Sequence, residues 1–363
     1  MSRGRRSSIL IGTTLSLALG CGERSIAADG GELDETGGPV ETLTCEGPDA
    51  PSEPVLLVEG SMQPGPFVRV GDRVYWADAW DEWADEQPSV TLYRAQLDQP
   101  EEWVPVATEQ PGINQIVSDG EHVYWVVEGL AQPGGKLLRA GLDDANEVLD
   151  EDLHGPRALT LGDGGEWVYY ADGGELAEPG ARILRVRPDG TDKQVLAESH
   201  GQVTDIAVDG EHAWWTIPIE YEVWRVGKDG GSPELVGASF DYAERVEVSA
   251  GFAWTIGSTG VYRIEPGVPA YFVNGYYGPN ELAVTETHLY FPFWNWIEDA
   301  HLGWIHRYPL MAGEYEQLAG EFVIDKTHPQ PSAVRTDDVA IYWATADEAA
   351  GEGAIWMLCE SAL

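Results

Sequence analysis

Lysine is nearly absent from this chain, and acidic residues dominate it. Its 363 residues contain 21 Lys and Arg against 62 Asp and Glu, a formal net charge of −41. A surface of this sign repels the phosphates of nucleic acids and anionic lipid headgroups, so both are excluded as partners. We attribute the acidity to solubility in a saline habitat, with divalent-cation binding as the alternative. No D-x-D-x-D-G calcium loop occurs, so no metal and no cofactor are predicted.

Long apolar runs and sustained helical periodicity are also missing. The run from Ile9 to Leu19 is too short to span a bilayer, and it follows the basic residues Arg3, Arg5 and Arg6. This order predicts an export signal over residues 1–20. Residues 21–52 are rich in Gly, Asp, Glu and Pro, and they predict a flexible acidic tether.

Cysteine occurs only three times, at Cys21, Cys45 and Cys359. The residues Ala18-Leu19-Gly20-Cys21 resemble the lipobox of bacterial lipoproteins, in which Leu usually stands where this chain has Ala18. The resemblance implies that Cys21 is diacylated and becomes the mature N-terminus, which would hold the protein on a membrane through its lipid alone. An ordinary cleaved signal remains the alternative.

A short aromatic β-triplet recurs seven times after a polar turn. The central residues step by 49, 45, 45, 39, 37 and 52 positions, and only strand-like segments lie between them. Such a period is typical of β-propeller blades. The triplets are Val74-Tyr75-Trp76, Val123-Tyr124-Trp125, Val168-Tyr169-Tyr170, Ala213-Trp214-Trp215, Phe252-Ala253-Trp254, Leu289-Tyr290-Phe291 and Ile341-Tyr342-Trp343.

Each repeat is predicted to contain four strands, named A to D from the channel outward. A turn such as Asp209-Gly210 joins strand A to the triplet strand B, and strand C carries a recurring arginine. The series is Arg94, Arg139, Arg185, Arg225, Arg263 and Arg307, and we expect these side chains to pack between blades and meet carboxylates.

The seventh repeat ends without a strand D, and Pro54–Val58 precedes the first strand A without a blade of its own. We therefore predict an all-β fold over residues 53–363: a seven-bladed propeller of four-stranded blades closed by the N-terminal strand. Cys45 and Cys359 flank this seam, which predicts a disulfide in an exported chain. Two free thiols are the alternative.

One repeat in particular resembles a YWTD repeat. Its residues are Val168-Tyr169-Tyr170-Ala171-Asp172, followed by Arg182-Ile183-Leu184-Arg185 and Pro188-Asp189-Gly190; Tyr75-Trp76-Ala77-Asp78 and Tyr342-Trp343-Ala344-Thr345 match in part. The family Asp is present only at Asp78 and Asp172, and familiar YWTD propellers have six blades. The resemblance implies a propeller with a binding role, and with the lipobox it suggests a YWTD-like propeller lipoprotein of the bacterial envelope.

Catalytic motifs are also lacking: the chain has no H-E-x-x-H, P-loop, G-x-S-x-G or zinc-spaced Cys/His cluster. The D–A connections do bring titratable and basic groups to the channel mouth, as in propeller lyases and lactonases. The candidates for a lyase or hydrolase site are His154, His200, His328, Arg157 and Arg245. Solvated mouth residues are the alternative.

Two long B–C connections combine tryptophans with carboxylates, at 77–89 in blade 1 and 292–303 in blade 6. Exposed indoles suit stacking on sugars or a protein hot spot. We therefore predict ligand binding by four residues, Trp80, Trp83, Trp294 and Trp296. The alternative is that the rings fold back as a lid.

Taken together, these patterns favour a monomeric, exported, lipid-anchored propeller that binds a protein or glycan of the cell envelope, on the periplasmic or outer side. A propeller lyase or hydrolase is the second hypothesis, and a structural envelope scaffold is the third. Binding is favoured over catalysis because no catalytic motif is present.

Overall fold

The computed structural model describes residues 45, 50–61, 64–78, 89–128, 134–173, 180–238, 243–249, 252–258, 260–265, 268–274, 281–297, 300–310, 330–337, 339–347 and 352–359. For residues 265, 268–274, 293–297, 300–304, 330–332, 346–347 and 352 it describes the backbone alone. Within these residues the chain forms 27 β-strands and two 3-10 turns, Asp163–Gly165 and Pro218–Glu220. The described part contains no α-helix.

Strand β1 (Val55–Ser61) precedes the first blade in the chain. Blade 1 contains β2 (Pro64–Val70), β3 (Arg73–Asp78), β4 (Val90–Gln96) and β5 (Gln99–Gln110). Blade 2 contains β6 (Ile113–Ser118), β7 (His122–Val127), β8 (Gly135–Gly141) and β9 (Asn146–Leu153). Blade 3 contains β10 (Leu159–Gly162), β11 (Trp167–Asp172), β12 (Ala181–Val186) and β13 (Gln194–Ser199).

Blade 4 contains β14 (Ile206–Val208), β15 (His212–Ile217), β16 (Glu222–Gly227) and β17 (Glu234–Ala238). Blade 5 contains β18 (Arg245–Ser249), β19 (Phe252–Gly257), β20 (Gly260–Glu265) and β21 (Val268–Asn274). Blade 6 shows β22 (Ala283–Val284), β23 (His288–Ile297) and β24 (Ala300–Pro309), and residues 311–329 fall outside the described ranges. Blade 7 contains β25 (Gln330–Thr336), β26 (Ala340–Asp347) and β27 (Glu352–Cys359).

The seven sheets close into a ring. Each is an antiparallel meander, and its first strand contacts the first strands of both neighbouring sheets, in the order β2, β6, β10, β14, β18, β22, β25 and back to β2. These first strands therefore surround the central axis. The predicted all-β, seven-bladed propeller is confirmed.

Strand β1 closes this ring. It pairs antiparallel with β27, with Val55 opposite Met357 and Leu56 opposite Trp356, so blade 7 has the strand order β1-β27-β26-β25. Cys45 and Cys359 form a disulfide at the same place, with a sequence separation of 314 residues. The predicted N-terminal closure and the predicted disulfide are both present.

The innermost strands alternate between buried and channel-lining positions. On each strand A, one residue lies opposite the central aromatic of strand B. The residue immediately before it on strand A is apolar and at most 2 % exposed in all seven blades. These residues are Phe67, Ile116, Leu159, Ile206, Val246, Leu282 and Val334. Burying such a side chain stabilises the fold by about 1.5–3 kcal/mol, so this position secures blade-to-blade packing. The residues on either side of it on the same strand do not have to be apolar.

The strand pairing also fixes which aromatic is central in each blade. Tyr75 lies opposite Arg94 and Trp214 lies opposite Arg225, as the recurring strand C arginine requires. In blade 5 the partner of Arg263 is Trp254, not Ala253. The blade 5 triplet is therefore centred one residue later than the spacing indicated.

Two of the strand C arginines connect neighbouring blades, as predicted. The Arg94 guanidinium donates to both carboxylate oxygens of Asp144 in blade 2 at 2.8–2.9 Å, and Arg139 donates to the Pro188 carbonyl of blade 3 at 2.5 Å. Arg225 instead makes its contacts within blade 4, where its guanidinium lies over the Trp214 ring at 5.0 Å and donates to Glu234.

A repeated aspartate organises the A–B turns. In blade 4, Asp209 Oδ1 accepts the backbone N–H groups of Glu211 and His212 at 2.7 and 2.6 Å, while Oδ2 accepts the indole N–H of Trp214 at 2.8 Å. Partial burial alone would raise the pKa of Asp209, but these donors hold it below its usual value. In blades 2 and 7 a tyrosine hydroxyl replaces the indole: Tyr124 donates to Asp119 and Tyr342 to Asp337, each at 2.6 Å.

Breaking the covalent seam tests the closure. We expect Cys45→Ser with Cys359→Ser to lower the melting temperature without changing the strand content, because the strand pairing persists while the unfolded chain gains freedom. Closing so long a loop is worth on the order of 5 kcal/mol in the chain-entropy model. Thermal denaturation by circular dichroism measures the difference. Two free thiols in the denatured, unreduced wild type would contradict the disulfide.

Candidate functional site in the central channel

The innermost strands enclose a cavity of about 300 Å³ on the propeller axis. All seven blades contribute to its wall, but they contribute different chemistry. At the position opposite the central aromatic, five blades carry small or uncharged residues, which are Val68, Val117, Thr160, Ala207 and Ala283. The other two blades carry charges, Glu247 and Arg335.

A second set of polar residues lies two positions earlier on the same strands. Gln115, Asp205, Arg245 and Glu281 occupy it in blades 2, 4, 5 and 6, where blades 3 and 7 have alanine. The cavity therefore collects five ionisable side chains from blades 4 to 7 at these two positions. The propeller does not need charge there, since the other blades pack without it.

Glu281 joins the two arginines of this cluster. Its Oε1 lies 2.5 Å from Arg245 Nη2 and its Oε2 lies 2.7 Å from Arg335 Nη1. Burial alone would raise the pKa of Glu281, but the two guanidiniums outweigh burial and hold it below its usual value. Glu281 is thus an ionised bridge between blades 5 and 7.

Asp205 is held by neutral donors. Its Oδ1 accepts from the Gln115 amide at 3.2 Å, and its Oδ2 accepts from the backbone N–H of Val246 at 2.9 Å. Gln115 in turn accepts the backbone N–H of Leu159 at 2.8 Å, so its amide is fixed across two blades. The carboxyl is 3 % exposed, and this burial raises the pKa of Asp205.

Glu247 differs from both of these carboxyls. Among the described residues, no donor lies within hydrogen-bond or ion-pair distance of its carboxyl group. Burial raises the pKa of Glu247 to about 8, and the nearby carboxyls of Asp205 and Glu281 add to the shift more than Arg335 and Arg245 oppose it. The channel therefore favours the protonated form of this carboxyl group.

A second pocket of about 270 Å³ lies at the channel mouth, where the D–A and B–C connections meet. Glu128 Oε1 accepts the Asn114 amide at 3.0 Å and also binds Arg157 Nε, so one buried carboxylate positions two wall residues. Thr204 Oγ1 donates to the Glu244 carbonyl at 3.1 Å. Arg245 lines both this pocket and the channel cavity, so the two spaces adjoin.

Arg157 and Arg245, the two arginines predicted as site residues, both line this pocket, whereas the two described histidines do not. His154 and His200 line neither cavity, and their side chains are 59 % and 52 % exposed. His200 Nε2 lies 3.1 Å from Glu222 Oε2, and its ring meets Trp224 edge-on. The His154 backbone N–H donates to Asp172 Oδ1 at 2.6 Å.

Several predicted residues lie outside the described part of the chain. Cys21, Trp80, Trp83 and His328 are among them. Trp294 and Trp296 lie on β23, where the backbone alone is described. The expected B–C connection at 292–303 is instead mostly a hairpin, because β23 runs to Ile297 and β24 starts at Ala300.

Asp205, Glu247, Glu281 and Arg335 were not among the residues predicted from the sequence. Glu247 and Arg335 stand seven positions before the central aromatic of their blades, as the residue opposite that aromatic does in six of the seven blades. Asp205 and Glu281 stand two positions earlier still. Centring the blade 5 triplet on Ala253 displaced that comparison by one residue. Glu247 was therefore hidden.

Within the described ranges, no set of three or more His, Cys, Asp or Glu side chains is placed to hold a metal ion. No helix in the same ranges is long and apolar enough to cross a membrane.

Comparison with known proteins supports the fold alone. The chain matches no known protein family and no curated protein in sequence. Among solved structures, the AfRom2 CNH domain matches with a TM-score of 0.55 at 11 % identity, over 84 % of this chain and 99 % of that one. A nidogen/laminin complex also matches, with a TM-score of 0.43 at 15 % identity, over 60 % of this chain and 80 % of that one. The tricorn protease matches with a TM-score of 0.41 at 13 % identity, over 78 % of this chain and 28 % of that one. We therefore assign the chain to the β-propellers, and this assignment does not define an activity.

The protonated Glu247 predicts a stability that falls with pH. Between its ordinary pKa of 4.5 and about 8, the folded state keeps a proton that the unfolded chain releases. The free energy of unfolding therefore falls as pH rises, by up to about 1.4 kcal/mol per pH unit, and this fall levels off above pH 8. Asp205 contributes with the same sign.

Glu247→Gln should flatten this decline between pH 5 and 8 and make the variant more stable than wild type at pH 8. Urea denaturation across that range measures it. Glu198→Gln, which removes an exposed carboxylate on blade 3, is the control for net charge. If the two variants follow the same pH profile, Glu247 is not the group responsible.

Proposed function

We propose that this protein is a binding propeller of the cell envelope, and that its mouth pocket takes a glycan. The observation that carries this proposal is the composition of the pocket wall. Amide, guanidinium, hydroxyl and carboxyl groups converge there from blades 2 to 5 around one space of about 270 Å³. Convergent polar groups in a concave site are the usual basis of small-ligand recognition.

The pocket offers donors and acceptors together. Glu128 positions Asn114 and Arg157, the latter through Nε, and both residues line the pocket together with Glu244. Sugar hydroxyls both donate and accept, so a mixed wall suits them better than it suits a simple ion. Two arginines beside several carboxylates also leave little net charge to select an anion.

The tryptophans of blades 1 and 6 would extend this site. The β23–β24 hairpin lengthens blade 6 at the B–C end, which is also the end of the mouth pocket. Trp294 and Trp296 are two positions apart on β23, so they share one face of that hairpin. Indole rings at such a place stack on the apolar faces of sugars. A protein partner is the alternative occupant of this surface.

Export and anchoring complete the proposal. Cys21 would carry the lipid, residues 21–52 would form the tether, and the propeller would stand away from the membrane on the periplasmic or outer side. The basic and apolar order of residues 1–20 supports export. The disulfide agrees with an oxidising compartment.

Catalysis by a lyase or hydrolase is less well supported. That hypothesis requires a histidine and an arginine within reach of one point. Arg157 and Arg245 line the mouth pocket, but His154 and His200 do not, and His328 lies outside the described residues. A scaffold without a small ligand leaves the polar pocket unexplained. We therefore favour binding.

Binding of soluble peptidoglycan fragments and of neutral cell-surface oligosaccharides, followed by isothermal titration calorimetry, tests the proposal. We expect Trp80→Ala with Trp294→Ala to weaken capture about thirtyfold or more, because losing a stacked indole typically costs ~2 kcal/mol or more. Arg157→Gln should weaken it at least tenfold. The melting temperatures should stay within a few degrees of wild type.

Arg182→Gln is the matched control, since Arg182 also binds a single buried carboxylate, Asp172, but lies outside the pocket. It should bind as wild type does. If no glycan of the panel binds, or if Arg157→Gln and Arg182→Gln behave alike, the mouth pocket is not a glycan site. Capture of a protein alone would favour the alternative occupant.

Phase partitioning tests the anchor. We expect the mature protein to enter the detergent phase and Cys21→Ser to stay in the aqueous phase, because acyl chains at this residue supply the membrane affinity. Mass spectrometry of the N-terminal peptide gives an independent check. Wild-type protein that is already aqueous would mean an ordinary secreted chain.

A further inference from the structure

The channel cavity has two unlike sides at the level of Glu247. Blades 4 to 7 bring Asp205, Arg245, Glu247, Glu281 and Arg335. Blades 1 to 3 present Val68, Val117 and Thr160 at the equivalent position, with no charge. The cavity is therefore amphipathic, and a ligand that fills it should have a polar end and an apolar end.

The charged side has one more acid than base. Arg245 and Arg335 face three carboxyl groups, and Glu281 occupies both arginines. Asp205 is satisfied by an amide and a backbone N–H, which carry no charge. Towards the A–B turns, Arg69 and Asp337 meet through the hydroxyl of Tyr342 and balance each other. One positive charge would neutralise the cluster.

Glu247 is the carboxyl group next to which that positive charge would lie. Within the part of the chain described here, its carboxyl has no hydrogen-bond or ion-pair partner, although it lies among Asp205, Arg245, Glu281 and Arg335. Glu247 is only partly exposed in the narrow channel. An ionised carboxylate with little water around it and no partner is costly, so it takes up a proton or a cation. Val68 and Val117 at the same ladder position show that the fold does not require an acid here.

We infer that the central channel binds a small primary alkylammonium ion, with its ammonium group against Glu247 and Asp205 and its alkyl part along Val68 and Val117. The ammonium group takes the place of the proton on Glu247. The ligand enters through the mouth pocket, because Arg245 lines both spaces. This site is separate from the proposed glycan site.

Three four-carbon probes distinguish the contribution of charge: n-butylammonium chloride, n-butanol and sodium butyrate. Calorimetry at pH 7 in two buffers of different ionisation enthalpy should show binding of butylammonium alone, with release of about one proton. The affinity should rise about tenfold from pH 7 to pH 9, since the competing proton leaves Glu247 near pH 8. Sodium chloride at the same concentration should not compete.

Two substitutions test the residue itself. Glu247→Gln and Glu247→Val should each weaken butylammonium binding at least tenfold, and both should fold, because other blades carry valine at this position. Glu198→Gln, which removes an exposed carboxylate outside the channel, should bind as wild type does. A normal melting transition separates loss of the site from loss of the fold.

Several results would overturn the inference. They are equal binding of butanol and butylammonium, wild-type affinity in Glu247→Gln, competition by sodium, or no binding of butylammonium at either pH. None of them bears on the glycan assay, which uses other probes and other residues, so the two proposals fail independently.

Discussion

The pairing of β1 with β27 is the contact on which the rest of the molecule depends. Each blade buries both faces of its middle strands against neighbours, so blades 1 and 7 obtain their second neighbour only when the ring is closed. The two strands that close it come from opposite ends of the chain, and the Cys45–Cys359 disulfide joins the same ends covalently. Without this seam, blade 7 would expose an open edge, and blade 1 would lose the packing of β1 against β3 and β5.

On the inner strands, the positions that stabilise the ring differ from the positions that line the channel. Positions such as Ile206 and Val246 are apolar and buried in every blade, and they hold the ring together. The alternate positions line the channel, where small residues, arginine and carboxylates all fit the same backbone. Asp205, Glu247 and Glu281 could therefore accumulate on one side of the axis at little cost to the ring. The same division explains why a propeller fold identifies no activity.

Much of the fold could be predicted from the sequence, but the channel site could not. Recurring aromatics, aspartate turns and the orphan strand at Pro54–Val58 are local signals, and they predicted the blade count and the seam. The register within a blade is a matter of single residues, and the Ala253 and Trp254 pair was ambiguous until Arg263 was seen opposite Trp254. Side-chain direction was equally hidden, since His154 and Arg157 belong to one connection but only Arg157 lines the pocket.

The disulfide also changes the topology of the chain. From Cys45 to Cys359 the backbone and the sulfur bridge together form a covalent circle of blades. A protease that cuts one surface connection opens the circle but releases no fragment, and the strands on both sides of the cut stay in their sheets. The order of blades around the axis is thus independent of where the polypeptide begins, and a chain started at another connection would encode the same ring.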